Sequence, residues 1–557
     1  MNNFRVNNFI FEFLLVVLIG VIITYLLTFR ILNNFFIGDD FVILKHTLEL
    51  KDVFSFLTHT WRGYFDYYNW RNYKLGSDLY RPIVNFSFLI DYYLFNLGAR
   101  GYYLTNIFIY LISGIVVYYI AKIIIKNHLF ALAALILFLL HPVHYHPLFY
   151  ISNRTDSLVG LFLGLSLLSY LNYNKGNRKL YFWLSYIFFI LALFTKETAI
   201  FFPLVILFYD LLIVKKKNFE NFKKFFIFFL TSGLYLLLRI ILLGNVGQYG
   251  SWGISFKSLY FFISLVKKFG FILILFIFGK AKYTYLGYKF WFLFLIGGIS
   301  IIYFLYKFLK KTIFRRNIIF WFIISFFLII GPAFFILSER FLYLAVLFPL
   351  LVFLYILKEI MENSPFSKQF VYLSVIFVAI LISFWLREWN ISVLSVNKAS
   401  YLSRNFINFL EKNEEIKEGA NVLTILPDNI NKESCIFLNG QREAYSLFGT
   451  KNINIFPLTL VTSNKLTVEG PKLTKKNNTL ILELKNEEEF FVFSQLNFNK
   501  FKEGDFIEND YSFIKIIKKD KKGNIKTIEV ELRHPLSLEN SVIVIYSMDH
   551  FNMIKYF

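Results

Sequence analysis

The chain has 557 residues, of which 57% are hydrophobic and 21% aromatic, with a mean hydropathy of +0.55. That is too apolar for a soluble globule, and apolar runs recur at membrane-span length, so composition predicts a polytopic α-helical membrane protein. The net charge of +22 falls largely in short loops between those runs, where basic residues record topology and meet anionic lipid rather than nucleic acid. Cys435 is the single cysteine, which excludes an intrachain disulfide and a cysteine metal cluster.

The first apolar run, 9–29, contains one acid, Glu12, and is long enough to cross a hydrocarbon core of roughly 30 Å. It lacks a small-x-small cleavage pattern at Thr24-Tyr25-Leu26-Leu27-Thr28-Phe29 and reads as a retained signal anchor. Beyond it, Gly38-Asp39-Asp40-Phe41 places two adjacent carboxylates just outside the lipid. A turn after Gly38 accounts for two exposed acids without any function. A carboxylate roofed by apolar chain and facing lipid headgroups is also a candidate general base toward a hydroxyl. From Arg30 to about Arg81 the chain is polar and aromatic, which predicts short amphipathic helices on the membrane surface. Arg81-Pro82 ends that stretch, and 83–97, with Asp91 inside an apolar pattern, reads as an interfacial helix.

Further apolar runs lie at 101–125, 129–140, 157–171, 180–194, 199–214, 225–243, 291–306, 318–337, 341–357 and 370–386. Basic residues fall on alternate loops: Lys122 and Lys126, then Lys175, Arg178 and Lys179, then Lys215 to Lys217 with Lys223 and Lys224. With these loops cytoplasmic, the Asp39-Asp40 loop is extracytoplasmic. The run 255–279 is interrupted by Lys267, Lys268 and Gly270. If it crossed, the basic loop 307–316 would be extracytoplasmic, so it reads as re-entrant or interfacial, giving about 11 spans and an outer carboxyl terminus. A twelfth span with a cytoplasmic tail is the alternative.

Two regions follow: a transmembrane domain over 1–387, whose first outer loop is 30–100, and a soluble β-rich domain over 388–557. In the latter, short runs such as Leu480-Ile-Leu-Glu-Leu484 and Ser541-Val-Ile-Val-Ile-Tyr546 alternate with turn signals such as Lys521-Lys-Gly-Asn524. It reads as a structural cap without catalytic residues.

Ionisable groups at membrane depth are costly and therefore candidates for function. They cluster on the predicted outer side as His141-Pro-Val-His144, Arg154 with Asp156, Lys196-Glu197, and Glu339-Arg340. Each alone is explained as an interfacial residue at a helix end. Together with Asp39 and Asp40 they form one polar face, in which Arg81, Arg154, Lys196 and Arg340 suit a phosphate or pyrophosphate. His141 and His144 invite a zinc reading, but i, i+3 spacing across a proline lacks a third ligand, so a divalent metal is an open alternative that the spacing does not favour. A nucleotide-binding glycine loop is also missing from the sequence.

The ordered set of an Asp pair after the first span, Tyr80-Arg-Pro-Ile-Val-Asn-Phe-Ser-Phe88, Gly101-Tyr-Tyr-Leu-Thr-Asn106, His141-Pro-Val-His144, Arg154-Thr-Asp156, Lys196-Glu197 and Glu339-Arg340-Phe-Leu-Tyr343 resembles the GT-C superfamily of polytopic glycosyltransferases. It looks closest to the transmembrane O-mannosyltransferases that carry tetratricopeptide repeats, themselves similar to the protein O-mannosyltransferases. The resemblance covers about 9–357 and implies a glycosyltransferase (hexosyltransferase) moving a mannose-like sugar from a polyprenyl-phosphate donor to an acceptor hydroxyl with inversion. The acceptor would be protein Ser/Thr or an envelope glycan or lipid. The resemblance makes Asp39 the base and Asp40 its orienting neighbour. Arg81, Arg154, Lys196 and Arg340 would hold the lipid phosphate, and His141, His144, Asp156, Glu197 and Glu339 would line the donor and acceptor pocket, with no cofactor required. Relatives have Thr-Glu-Ala where this chain has Tyr145-His146-Pro147, and its tail reads as β-rich rather than as repeats. A flippase or transporter for a lipid-linked sugar is the alternative function, and a membrane scaffold displaying the tail is a third.

Overall fold

The computed structural model describes residues 2–49, 79–176, 178–214, 219–243, 276–277, 279, 313–330, 342–363, 367–430, 434–436, 440–463, 469–476, 479–492, 501–509, 511–533, 540–547 and 550–555. The predicted run 291–306, most of 255–279, and parts of 318–337 and 341–357 therefore lie outside the described residues. The chain divides into two compact units. The first comprises Met1–Leu32, Tyr80–Ser87 and Gly101–Asn390; the second comprises Asn33–Leu79, Phe88–Arg100 and Ile391–Phe557.

The helices are α1 (Asn2–Thr28), α2 (Asp40–Leu48), α3 (Pro82–Phe95), α4 (Ala99–Ile125), α5 (His128–Leu140), α6 (Tyr145–Phe149), α7 (Arg154–Gly176), α8 (Lys179–Thr195), α9 (Phe202–Tyr209), α10 (Phe219–Leu243), α11 (Ile313–Ile330), α12 (Leu347–Asn363), α13 (Ser367–Lys412) and α14 (Gln441–Phe448). Among the described residues, five helical segments are long and apolar enough to cross a membrane. The total is six if α5 and the bent segment after it, turned by 48°, count as one broken span. The chain is thus a helical membrane protein with a sheet-containing C-terminal region.

Local chemistry explains the break after α5. His141 precedes Pro142 and takes an extended conformation, φ −67° and ψ 122°, because a residue before proline is pushed out of the helical region. The carbonyls left open at the helix end find other donors: Leu139 C=O accepts from the Tyr110 hydroxyl at 2.6 Å, and Leu140 C=O from the Trp389 indole at 2.8 Å. Glu12, the lone acid of the first apolar run, accepts from Tyr118 at 2.6 Å and pairs with Lys122 and with His128.

In lipid, helices associate through close packing rather than water exclusion, so small residues mark the contacts. A Cβ on Gly114 of α4 would lie 2.8 Å from Leu139 Cδ2 of α5, and one on Gly160 of α7 would collide with the Tyr343 ring. The expected end of the last span near 386 does not hold as a helix end. α13 runs on for 46 residues, roughly 69 Å at 1.5 Å per residue, because 367–412 contains neither glycine nor proline to stop it.

The tail is less purely strand than its pattern suggests. Its strands are β1 (Asn421–Ile430), β2 (Ser434–Cys435), β3 (Asn454–Ser463), β4 (Lys472–Lys476), β5 (Thr479–Glu483), β6 (Glu489–Val492), β7 (Phe506–Glu508), β8 (Ser512–Lys519), β9 (Ile525–Leu532), β10 (Ser541–Ser547) and β11 (His550–Lys555). One sheet has the order β11-β10-β1-β3-β6, with β2 pairing β1; the other is β4-β5-β9-β8-β7. β1 is parallel to both β3 and β10, and α14 lies in the β1–β3 connection, so the first sheet contains a βαβ unit. The second sheet is antiparallel throughout.

Gly160→Ala should lower the thermal unfolding midpoint in detergent, by an overpacking cost of about 1–3 kcal/mol. Gly233→Ala, at a helix position where an added Cβ meets nothing within 4 Å, should not.

Candidate active site

Six buried or half-buried charges of the first unit lie at one end of its helices. The α7 amino terminus supplies Arg154 and Asp156, the residues following α8 supply Lys196 and Glu197, Arg81 stands before α3, and Arg239 lies in the last turns of α10. Lys122, Lys126 and Lys175 sit at the opposite helix ends.

Glu197 bridges two guanidinium groups, Arg81 Nη2 at 3.6 Å and Arg239 Nη1 at 3.4 Å. Arg239 is fully buried and also donates to the Tyr235 hydroxyl at 3.3 Å. Lys196 and Asp156, both buried, form a direct ion pair beside a cavity of about 20 Å³ also lined by Gly160, Thr198 and Tyr343. Lys196 reaches this position because α8 ends there in an extended residue, φ −158° and ψ 137°. Asn85, one turn along α3 from Arg81, is fully buried, and neither of its amide atoms has a hydrogen-bond partner among the described residues. Leaving a buried polar group unsatisfied costs about 1–3 kcal/mol, and such groups call for a specific reason.

Arg154 is employed differently from the expectation. Its guanidinium donates to Asn106 Oδ1 at 2.6 Å, to the Ser87 carbonyl at 3.2 Å and to the Tyr102 carbonyl at 3.1 Å, fastening α7 to α3 and α4. His141 and His144 are likewise fully buried in the wall rather than presented to a pocket. His141 Nδ1 accepts from Val143 N–H at 3.2 Å, leaving Nε2 to donate to the Phe276 carbonyl at 2.7 Å. His144 Nε2 lies 3.1 Å from the Tyr343 carbonyl, and its Nδ1 lies 3.4 Å from the Tyr110 hydroxyl. With these ring nitrogens engaged, neither histidine offers a metal ligand. Among the described residues no three His, Cys, Asp or Glu side chains converge as a metal site. Glu339 and Arg340 lie outside the described residues.

Arg239 is the residue that sequence reading missed. It was absorbed into the run 225–243, although an arginine inside an apolar span is itself a signal of function.

Asp39 and Asp40 belong to the second unit. Gly38, at φ +58°, turns the chain into α2. Asp40 is fully buried, and its Oδ2 accepts from Ile37 N–H at 3.1 Å, closing the turn. Asp39 occupies the N-cap position, half-buried, and its carboxylate does not cap the helix. The adjacent acids therefore differ: Asp40 closes the turn through its own carboxylate, whereas the Asp39 carboxylate does not cap α2.

The fold and these charges define a helical membrane protein with a largely buried polar cluster that, among the described residues, holds Arg81, Arg154, Lys196 and Arg239 with Asp156 and Glu197. Residues 82–244 match the protein family described as dolichyl-phosphate-mannose-protein mannosyltransferase. Over that segment, less than half of the chain, the sequence is similar to this family, in line with the expected resemblance to GT-C glycosyltransferases. Protein O-mannosyl-transferase F38B6.6 of Caenorhabditis elegans is 30% identical over 105 residues, 18% of this chain and 15% of that protein's length. Among solved structures, the apo oligosaccharyltransferase of Archaeoglobus fulgidus is similar at 14% identity and TM-score 0.42, over 74% of this chain and 62% of that one. ArnT from Cupriavidus metallidurans bound to undecaprenyl phosphate is similar at 12% identity and TM-score 0.40, over 81% and 92%.

Removing Glu197 leaves two guanidinium groups without their shared acid, so Glu197→Ala should destabilise the protein by about 3–5 kcal/mol. Arg239→Met, which leaves Glu197 with Arg81, should cost less. Thermal unfolding of the two variants in the same detergent checks the order.

Proposed function

We propose that the protein is a membrane glycosyltransferase that moves a hexose, mannose-like, from a polyprenyl-phosphate donor to a hydroxyl acceptor with inversion. The observation that carries this reading is the Arg81–Glu197–Arg239 arrangement, two guanidinium groups on one carboxylate, within or directly beside the family-matched segment 82–244. Guanidinium and ammonium groups held at low exposure stabilise a phosphate that gains charge as it leaves. In this reading Arg81, Arg239 and Lys196 hold the donor phosphate, Asp156 and Glu197 fix the cations, and Arg154, His141 and His144 keep the wall rigid.

Asp39 takes the proton from the acceptor hydroxyl. The acceptor oxygen forms its bond to the anomeric carbon as the bond from that carbon to the phosphate oxygen breaks, and polyprenyl phosphate departs with the electron pair. Attack opposite the leaving group inverts the centre. Asp40 holds the loop that presents Asp39. The reading places the charged cluster and the tail on the extracytoplasmic face. It gives the transmembrane part about 11 spans once the shorter apolar helices Lys179–Thr195 and Asn317–Ile329 and the remaining apolar runs are counted.

The test is transfer of labelled sugar from a panel of polyprenyl-phosphate sugars by purified protein in detergent. Wild type should release polyprenyl phosphate only when an acceptor is added. Asp39→Asn should lower turnover by about 10²–10⁴-fold with donor binding retained, the range for loss of a general base. Arg81→Gln should instead raise the donor KM by about tenfold or more, the worth of a charge-assisted hydrogen bond. Donor binding without turnover in wild type, across the panel, would favour the transporter.

A further inference from the structure

The Asp39–Asp40 loop does not stand alone within its unit. Residues 34–38 are bonded at five points to segments of 391–557: Asn34 Nδ2 donates to Asn397 Oδ1 at 2.8 Å, Phe35 N–H to Ser400 Oγ at 2.7 Å, and Ser403 Oγ to the Phe36 carbonyl at 2.8 Å. Gly38 N–H donates to the carbonyl of Ile436, a fully buried residue next to β2, at 2.8 Å, and Arg404 lies over the Phe35 ring at 5.4 Å. The last residue of α14, Phe448, closes an aromatic cluster with the rings on both sides of the acid pair. Its centroid lies 4.7 Å from Phe35, 5.8 Å from Phe36 and 6.2 Å from Phe41. Phe36 and Phe41 are fully buried. Aromatic pairs at such separations have preferred angles, so the cluster resists rotation of the loop as well as its departure.

We infer that the C-terminal sheet domain is the mount of the acid pair, and that Phe448 is a positioning residue for Asp39, acting from α14 through Phe35, Phe36 and Phe41. This rests on the reading of Asp39 as the base. A base displaced by about 1 Å loses on the order of 10²-fold in rate, while groups that bind the donor elsewhere are untouched.

The experiment compares Phe448→Ala, Phe448→Leu, Phe41→Ala, the Phe41→Ala/Phe448→Ala pair and Asp39→Asn in the transfer assay. Phe506→Ala, at an exposed position in the other sheet, is the control. Phe448→Ala should lower kcat by about 10- to 100-fold with the donor KM unchanged, and Phe448→Leu should recover most of the loss. The paired variant should be little worse than either single one, because both remove the same cluster. Unchanged kcat in Phe448→Ala, or multiplicative losses in the pair, overturns the inference. If Phe448→Ala does not fold, Phe41→Ala decides: kcat should fall about 10- to 100-fold with the donor KM unchanged, and an unchanged kcat overturns the inference. Full turnover in Asp39→Asn defeats the proposed reaction itself, whereas an inactive Asp39→Asn beside a fully active Phe448→Ala defeats only the mount.

Discussion

A charge placed among apolar helices without water must find its counter-charge on a neighbour, and much of the first unit follows from that rule. Arg239 is in α10 and meets an acid that follows α8, which in turn meets an arginine that precedes α3. Lys196 meets Asp156 from a different helix, and Arg154 spends its donors on backbone and side-chain acceptors of two more. Each pairing selects which helix ends lie side by side, so the ionic network specifies the arrangement of an otherwise apolar and interchangeable set of helices. At the other end Glu12 does the same for α1 and α4 through Lys122.

The second unit solves a different problem, that of keeping a short acidic loop in one conformation. A turn with a glycine at positive φ and a buried carboxylate bonded to its own backbone is rigid only if something outside the loop prevents it from opening. Hydroxyls and an amide from the far half of α13 bond its backbone and Asn34, and a parallel-strand core supports α14 and Phe448. A mixed sheet with a βαβ crossover is a stiffer foundation than a lone hairpin, because its central strand is held on both sides.

Much of this was legible in the sequence, for identifiable reasons. The apolar runs, the break at His141-Pro142 and the gathering of Arg81, Asp156, Lys196 and Glu197 follow from hydropathy, proline geometry and alternating loop charge. Other features were hidden by the same patterns. Arg239 was averaged into its run, and the histidines were expected to line the pocket because a one-dimensional reading cannot see the carbonyls of Phe276 and Tyr343. The polar Arg387-Glu388 step looked like an end, yet polarity does not stop a helix that lacks glycine and proline. The contacts of residues 34–41 with Asn397, Ser400, Ser403, Ile436 and Phe448 join segments more than 350 residues apart, beyond any local signal. The parallel pairing of β1 was also unreadable, since alternation reports a strand but not its partner.

Arg239 also bears on how the chain enters the bilayer. An arginine at the centre of an inserting helix costs about 2.5–3.5 kcal/mol, and Arg239, in the last turns of α10, carries a smaller part of that cost, which still makes an isolated segment less ready to leave the insertion machinery. Here the acid it needs, Glu197, is synthesised before it, and Arg81 earlier still. When α10 emerges from the ribosome its counter-ion is already at the membrane, so order of synthesis is also order of charge neutralisation. Moving this helix ahead of Glu197 by circular permutation would preserve every native contact yet present the machinery with an arginine before its acid exists.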